Sequence, residues 1–254
     1  MLLDWGVVKA AVWRPRKGSL RAVQRFDAVR LVDLLGIDRQ KIELVRNTDQ
    51  FLRGKPARNV LLWGSRGTGK SSLVKALLNE YVDSGLRVIE IDKDDLADLQ
   101  DIVDTVASLP QRFIIFCDDL SFEADETFYK HLKSVLEGSI ELPPENILIY
   151  ATSNRRHLIA EQQSDNRGVE LVDGELHYGD TVEEKLSLAD RFGLWLSFYP
   201  NTTRMYLDIV DYLFSEFDGD REALHHSAKQ FAMGRASKSG RTAQQFRAHW
   251  LSLE

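Results

Sequence analysis

The sequence predicts an α/β fold, a P-loop three-layer αβα sandwich with a central parallel sheet, followed by a small all-helical lid. Three observations predict it. The segment Gly64-Ser65-Arg66-Gly67-Thr68-Gly69-Lys70-Ser71 places two glycines around four free positions and then Lys-Ser, between an apolar run and a helical pattern. From residue 59 to 199, short apolar runs alternate with helical periodicity, the mark of a mainly parallel sheet covered on both faces. Residues 200–254 carry helical patterns only. The chain thus divides into a basic N-terminal arm with leading helices (1–58), an α/β core (59–199) and a helical lid (200–254). The lid is too short to hold a substantial core alone.

Residues 1–20 have little periodicity and are expected as an extended arm. Asp27 to Leu35 reads as a short helix with Val29, Val32 and Leu35 on one side, ended by Gly36. Lys41 to Leu52 reads as a second helix. Asn59 to Trp63 is an apolar strand entering the glycine loop. Ser72 to Val82 is the helix that leaves it, with Leu73, Val74, Leu77, Leu78, Tyr81 and Val82 apolar. Arg87 to Ile91 is a strand, and Asp95 to Ala107 a helix by its Leu96, Leu99, Ile102, Val103 and Val106 spacing. Phe113 to Cys117 is a buried strand, Glu126 to Leu136 a helix, and Asn146 to Ala151 another buried strand. Glu161 to Asp180 is polar, contains Gly168, Gly174 and Gly179, and is too long for an ordinary connection. Leu194 to Tyr199 is a short strand closed by Pro200. The lid helices are marked by Tyr206, Ile209, Val210, Leu213 and Phe217, by Leu224, Ala228 and Phe231, and by Phe246, Trp250 and Leu253.

Composition narrows the class. No run approaches the ~20 apolar residues that cross a bilayer, and the N-terminus lacks the basic-then-apolar order of a signal peptide. The single cysteine, Cys117, sits in an apolar strand and reads as a buried reduced thiol. A cytoplasmic enzyme with no membrane partner is expected. The six histidines suggest no metal site, since His225 and His226 are adjacent and point apart on a helix. The five tryptophans form no aromatic stripe for single-stranded nucleic acid. Charge is uneven: residues 1–58 hold 13 Lys/Arg against 6 Asp/Glu, within a chain of net charge −6. Such an arm can meet nucleic acid or an acidic partner, or dock on the acidic remainder of its own fold or of a neighbouring subunit. The structural reading is favoured.

The glycine loop implies triphosphate binding. Backbone N–H groups of Gly64, Ser65, Arg66, Gly67, Thr68, Gly69, Lys70, Ser71 and Ser72 turn toward phosphate oxygens, helped by the helix N-terminus. Lys70 reaches the β- and γ-phosphates, and the Ser71 hydroxyl ligates Mg²⁺. The strand Phe113 to Cys117 ends in Asp118-Asp119. The first acid is expected to hold the magnesium shell, and the second to orient or deprotonate the attacking water. Asn154, after the strand 146–151, can hydrogen-bond that water or a γ-phosphate oxygen, or can cap a helix starting near Arg155.

The ordered set resembles an AAA+ ATPase over roughly residues 40–254: the glycine loop, the Asp-Asp strand, Asn154, then Leu188-Ala189-Asp190-Arg191-Phe192-Gly193, a last strand and a helical lid. The Asp-Asp pair and the Asp-Arg-Phe-Gly segment look closest to the bacterial replication-initiator and helicase-loader branch. The whole chain is also similar to a bacterial AAA+ group of unassigned function. The resemblance implies Walker A at Gly64 to Ser71, Walker B at Asp118 and Asp119, and sensor 1 at Asn154. It implies an arginine finger at Arg191 and sensor 2 at Arg241, with Arg235 and Arg247 as rivals for the last. Asp119 stands where many relatives have Glu, one methylene longer, which leaves turnover rate open. Arg191 has a salt bridge with Asp190 as its plain alternative.

Three functions are weighed. The first is an oligomeric ATPase, a ring among its forms, that converts ATP and Mg²⁺ into lid and inter-subunit movement on an unidentified macromolecule. The second is a P-loop small-molecule phosphotransferase. The third is an ATP-dependent nucleic-acid or protein-binding switch of helicase-loader type. A GTPase is disfavoured because no Asn-Lys-x-Asp segment is present, and a transporter ATPase because no Leu-Ser-Gly-Gly-Gln segment is.

Overall fold

A computed structural model describes residues 3–121, 132, 135, 136, 142–154, 170–172, 175–177 and 191–252. Its centre is a seven-stranded sheet in the order β2-β1-β4-β5-β6-β3-β9. These strands are β1 (Ala10–Arg14), β2 (Ser19–Ala22), β3 (Val60–Gly64), β4 (Leu86–Ile91), β5 (Arg112–Cys117), β6 (Ile147–Ser153) and β9 (Leu194–Phe198). All pairings are parallel except β1 with β2.

Both faces are covered, and β5 shows the consequence. Phe113, Ile115 and Cys117 face a core shared with α3 (Leu99–Val106), while Ile114 and Phe116 face one shared with α1 (Asp38–Leu52) and α2 (Lys70–Tyr81). A strand buried on both sides needs apolar residues at every position, so it reads as a continuous run. The lid is α4 (Thr203–Leu213), α5 (Arg221–Gly234) and α6 (Gly240–Leu251), packed around Tyr206, Val210, Phe214, Leu224 and Phe246. Among the described residues no helix is long and apolar enough to cross a membrane.

The first 35 residues differ from expectation. Residues 10–22 are no extended arm but a hairpin that extends the central sheet beside β4. Ala10 and Ala11 are buried in opposite cores, so β1 has no alternation to detect. Trp13 Nε1 donates to Asp98 Oδ2 at 2.8 Å, and Trp5 meets the Phe113 ring edge-on. The helix expected over Asp27 to Leu35 reduces to a single 3₁₀ turn, Leu31–Asp33. Its carbonyls are claimed elsewhere: Asn79 Nδ2 donates to both Asp27 O and Val29 O. The Asp27 and Asp33 side chains also take the N–H groups of Val29 and Arg30, the local competition that disfavours helix.

The helix expected over Glu126 to Leu136 lies outside the described residues except at Leu132, Val135 and Leu136. Within the polar segment 161–180, β7 (Glu170–Val172) and β8 (Glu175–His177) pair antiparallel, and the rest lies outside.

Parallel strands put their C-terminal ends at one edge. The glycine loop after β3, Asp118 and Asp119 after β5, and Asn154 after β6 therefore share that edge, where open α/β sheets bind ligands.

Candidate nucleotide site

Gly64 ends β3 with φ +131°, and a Cβ there would stand 1.9 Å from Phe198 O of β9. That carbonyl accepts the Ser65 N–H at 3.0 Å, fixing where the loop departs. Gly67 has φ +73°, and its Cβ would stand 2.6 Å from Ser239 Cβ in the lid. Only glycine fits both positions. Thr68 Oγ1 donates to Ser65 O at 2.8 Å and ties the loop's two ends together.

The loop has donors to spare. Ser65 and Leu73 N–H find backbone acceptors, whereas among the described residues the N–H groups of 66–72 do not. A row of unpaired donors at a helix N-terminus fits a polyphosphate. Lys70, 6% exposed, donates from Nζ to Gly64 O and Ser65 O at 2.7 Å each and to Asn154 Oδ1 at 3.1 Å. Burial lowers its pKa, and the charges of Asp118 and Asp119 oppose that shift.

The acids join the same network. Ser71 Oγ donates to Asp118 Oδ1 at 2.6 Å, and Thr152 Oγ1 donates to that same oxygen. Thr152 Oγ1 in turn accepts the Asp119 N–H at 2.9 Å. Asn154 Nδ2 donates to Asp119 Oδ1. Asp119 has φ +54°, a left-handed conformation that costs most side-chain-bearing residues about 1–2 kcal/mol. Thr152 and Asn154 hold it there. Arg66 lies 3.9 Å from Asp119 Oδ2, but both are exposed, so the pair is weak.

Ser71 with Asp118 suits Mg²⁺, which takes one or two protein ligands and completes its shell with phosphate and water. No cluster of three or more His, Cys, Asp or Glu able to hold a metal exists among the described residues.

The structure brings Gly64 to Ser72, Asp118, Asp119 and Asn154 together. It does not bring Arg191 to its own loop. Arg191 precedes β9, whose Leu194 is level with Val60, at the start of β3. The loop follows the other end of β3, about 13 Å away along the strand. Asp190, its alternative partner, lies outside the described residues. Arg241 is exposed and is the second residue of α6, two positions from the Ser239 that meets Gly67. Of its rivals, Arg235 stacks over the Phe231 ring at 4.7 Å, and Arg247 is exposed about two turns further along α6.

Sequence reasoning missed Thr152 and Ser239. Thr152, 2% exposed, holds both acids. Its signal was a hydroxyl, followed by that of Ser153, at the C-terminal end of a strand apolar up to Ala151. Ser239 caps α6, accepting the Thr242 N–H at 3.1 Å, and seats the lid on Gly67. A cleft of ≈ 550 Å³ lies between them, lined by Ser65, Arg66 and Thr68 from the loop and Asn201, Met233 and Lys238 from the lid side.

Residues 6–253 match the family described as "Protein of unknown function (DUF815)". The Replication factor C large subunit of Staphylothermus marinus is 36% identical over 79 residues, which span 31% of this chain and 18% of that protein. The chloroplastic ATP-dependent zinc metalloprotease FTSH 7 of Oryza sativa subsp. japonica is 35% identical over 71 residues, 25% of this chain and 9% of that one. The chain therefore spans less than a fifth of the length of these curated relatives. Among solved structures, the Thermotoga maritima RuvB Holliday junction branch migration motor aligns with a TM-score of 0.48 at 14% identity, over 86% of this chain and 70% of that one. The chain belongs to the DUF815 family and, with it, to the AAA+ P-loop ATPase superfamily.

Proposed function

We propose that this chain is a cytoplasmic ATP hydrolase that works as a homo-oligomer and turns ATP binding and hydrolysis into movement of the lid and of neighbouring subunits. One observation carries the reading: Asn154 donates to Asp119 and accepts from Lys70, so the phosphate-binding lysine and the acid pair form one hydrogen-bonded unit.

In this reading the amides of 66–72 and the Lys70 ammonium bind the phosphates of ATP. Ser71 and Asp118 would hold Mg²⁺, which would supply neutralisation of the phosphate charge. Asp119 orients the attacking water and accepts its proton, and Asn154 fixes Asp119 and the water. The bond from the γ-phosphorus to the bridging oxygen breaks as the water oxygen bonds. Arg191, standing at the opposite edge of the sheet from its own loop, serves the loop of the next subunit. A guanidinium supplied in trans is worth about 10³–10⁵ in rate. Arg241 reads the nucleotide from the lid.

The test is phosphate release per subunit as a function of protein concentration, with ATP binding measured in parallel. Activity is expected to rise with concentration, and Arg191→Ala to abolish the rise while ATP affinity is kept. A concentration-independent rate that Arg191→Ala leaves unchanged would sink the shared site.

A further inference from the structure

Between Asp4 and Asp27 the chain carries six cations and no acid: Lys9, Arg14, Arg16, Lys17, Arg21 and Arg25. They ride on the β1–β2 hairpin and its flanks. All six are exposed, and among the described residues none forms an ion pair, although residues elsewhere in the chain carry an acidic excess. Among the described residues, the charge of these six cations is therefore not spent on the protein's own acids.

The hairpin is a fixed support, not a loose tail. Trp13 faces Leu20 across the two strands, and both pack into the core. Residues directly opposite share a face, and faces alternate along a strand. Arg14, opposite Ser19, and Arg21, opposite Val12, therefore stand together on the other face. Arg16 and Lys17 occupy the turn Pro15–Lys17 between them. Val12 is level with Glu90 of β4, and Glu90 with Phe116 of β5. The turn thus leaves the sheet at the same edge as Asp118, two strands or about 10 Å across.

We propose that this hairpin binds the phosphate backbone of nucleic acid without reading sequence. Protein interfaces need a buried apolar centre, and the hairpin itself, residues 10–22, exposes no large hydrophobic side chain; the exposed Val7 and Phe26 stand singly on its two flanks. A cluster of guanidinium and ammonium groups on a rigid ribbon suits a regular polyanion, where each neutralised phosphate releases counterions. The partner is a strand that passes beside the nucleotide edge of the sheet.

The experiment is fluorescence anisotropy of a labelled short duplex DNA, and of one of its single strands, titrated with the full chain in ATP over a range of salt. Four contacts, from Arg14, Arg16, Lys17 and Arg21, predict a slope of log affinity on log salt of about −3.6. The double variant R16A/K17A is expected to make that slope shallower by about 1.8 and to weaken binding by at least about tenfold near 0.1 M salt. Its ATP binding and turnover should be unchanged, so loss of DNA binding with intact turnover isolates the hairpin. DNA binding without turnover would count only against the hydrolase reading. No binding of either probe at about 50 mM salt, or a slope that R16A/K17A leaves unchanged, overturns the proposal. So does a change in the variant's sedimentation without DNA binding by the wild type, which would assign the hairpin to an acidic face of another copy.

Discussion

Replacing Thr152 by Val keeps the side chain's shape and removes one hydroxyl. That hydroxyl donates to Asp118 and accepts the Asp119 N–H at 2.9 Å, in a residue 2% exposed. A hydrogen bond to a charged carboxylate is worth about 1.5–3 kcal/mol, and an abandoned amide about 1 kcal/mol where water can partly reach it. The total is about 2.5–4 kcal/mol. Both bonds exist in the resting chain, so part of the loss appears as lower stability. The rest appears in turnover, because Asp118 and the strained Asp119 lose their common support. An even division leaves about 1.3–2 kcal/mol for the chemical step, a 10- to 30-fold fall in kcat at ~1.4 kcal/mol per decade. KM for ATP should move little, since Lys70 and the loop amides are untouched. The assay is steady-state phosphate release together with thermal unfolding of Thr152→Val and Thr152→Ser. Serine keeps the hydroxyl and gives up one methyl, worth about 0.8 kcal/mol, and should keep kcat within about threefold. Wild-type kcat in the valine variant would falsify the argument. Equal impairment of both variants would also refute it, because serine keeps the hydroxyl that valine lacks.

Gly67→Ala adds a Cβ at φ +73° and 2.6 Å from Ser239 Cβ, so it should cost about 1–2 kcal/mol and weaken ATP binding by lifting the lid. Thermal unfolding and calorimetric titration of ATP check it, and unchanged values in both would detach Ser239 from the loop. The Arg30 guanidinium, and then the Tyr212 hydroxyl, hold the Asp33 carboxyl well below the usual carboxylate range. A pKa depressed by folding adds stability that is present above the unfolded value near 4 and lost as pH falls through the folded one. Asp33→Asn should therefore flatten the acid limb of a Tm-versus-pH curve below about pH 4; parallel limbs for the two proteins would rule that out.

What was legible in the sequence follows from how far each structural cause reaches along the chain. β3, β5 and β6 were visible because burial on two faces writes itself as nearly continuous apolar runs, and β4 and the half-buried edge strand β9 because apolar residues still dominate them despite Arg87, Glu90 and Ser197. The lid helices were visible because each buries one stripe against the others. β1 was invisible for the opposite reason: besides its hairpin partner β2, it is placed by Val88, Ile89 and Glu90, more than 75 residues away, and nothing in Ala10-Ala11-Val12-Trp13 announces that edge. The Asp27 to Leu35 helix failed for a related cause. Its periodicity was real, but the side chain of Asn79 on α2 offered its carbonyls better partners than a helix would.

The site divides along the same line. Gly64, Lys70, Ser71, Asp118, Asp119 and Asn154 were legible because loop and strand-end chemistry is written in contiguous motifs. Thr152 was not, because threonine within a strand ordinarily signals only β-propensity. Its role arises from register: Cys117 pairs with Ala151, so the next level sets Asp118 beside Thr152, where one hydroxyl serves two acids. Ser239 is the same case at longer range. Gly67 was read as a phosphate-loop glycine, yet its second constraint comes from a lid residue 172 positions later. The motifs therefore name the groups that gather at one end of the sheet, while register and lid packing decide which of them form one hydrogen-bonded unit. In this chain Lys70, Asn154, Asp119, Thr152, Asp118 and Ser71 form an unbroken hydrogen-bonded series. Substitutions along it should not add independently, because each removes a support that its neighbour shares.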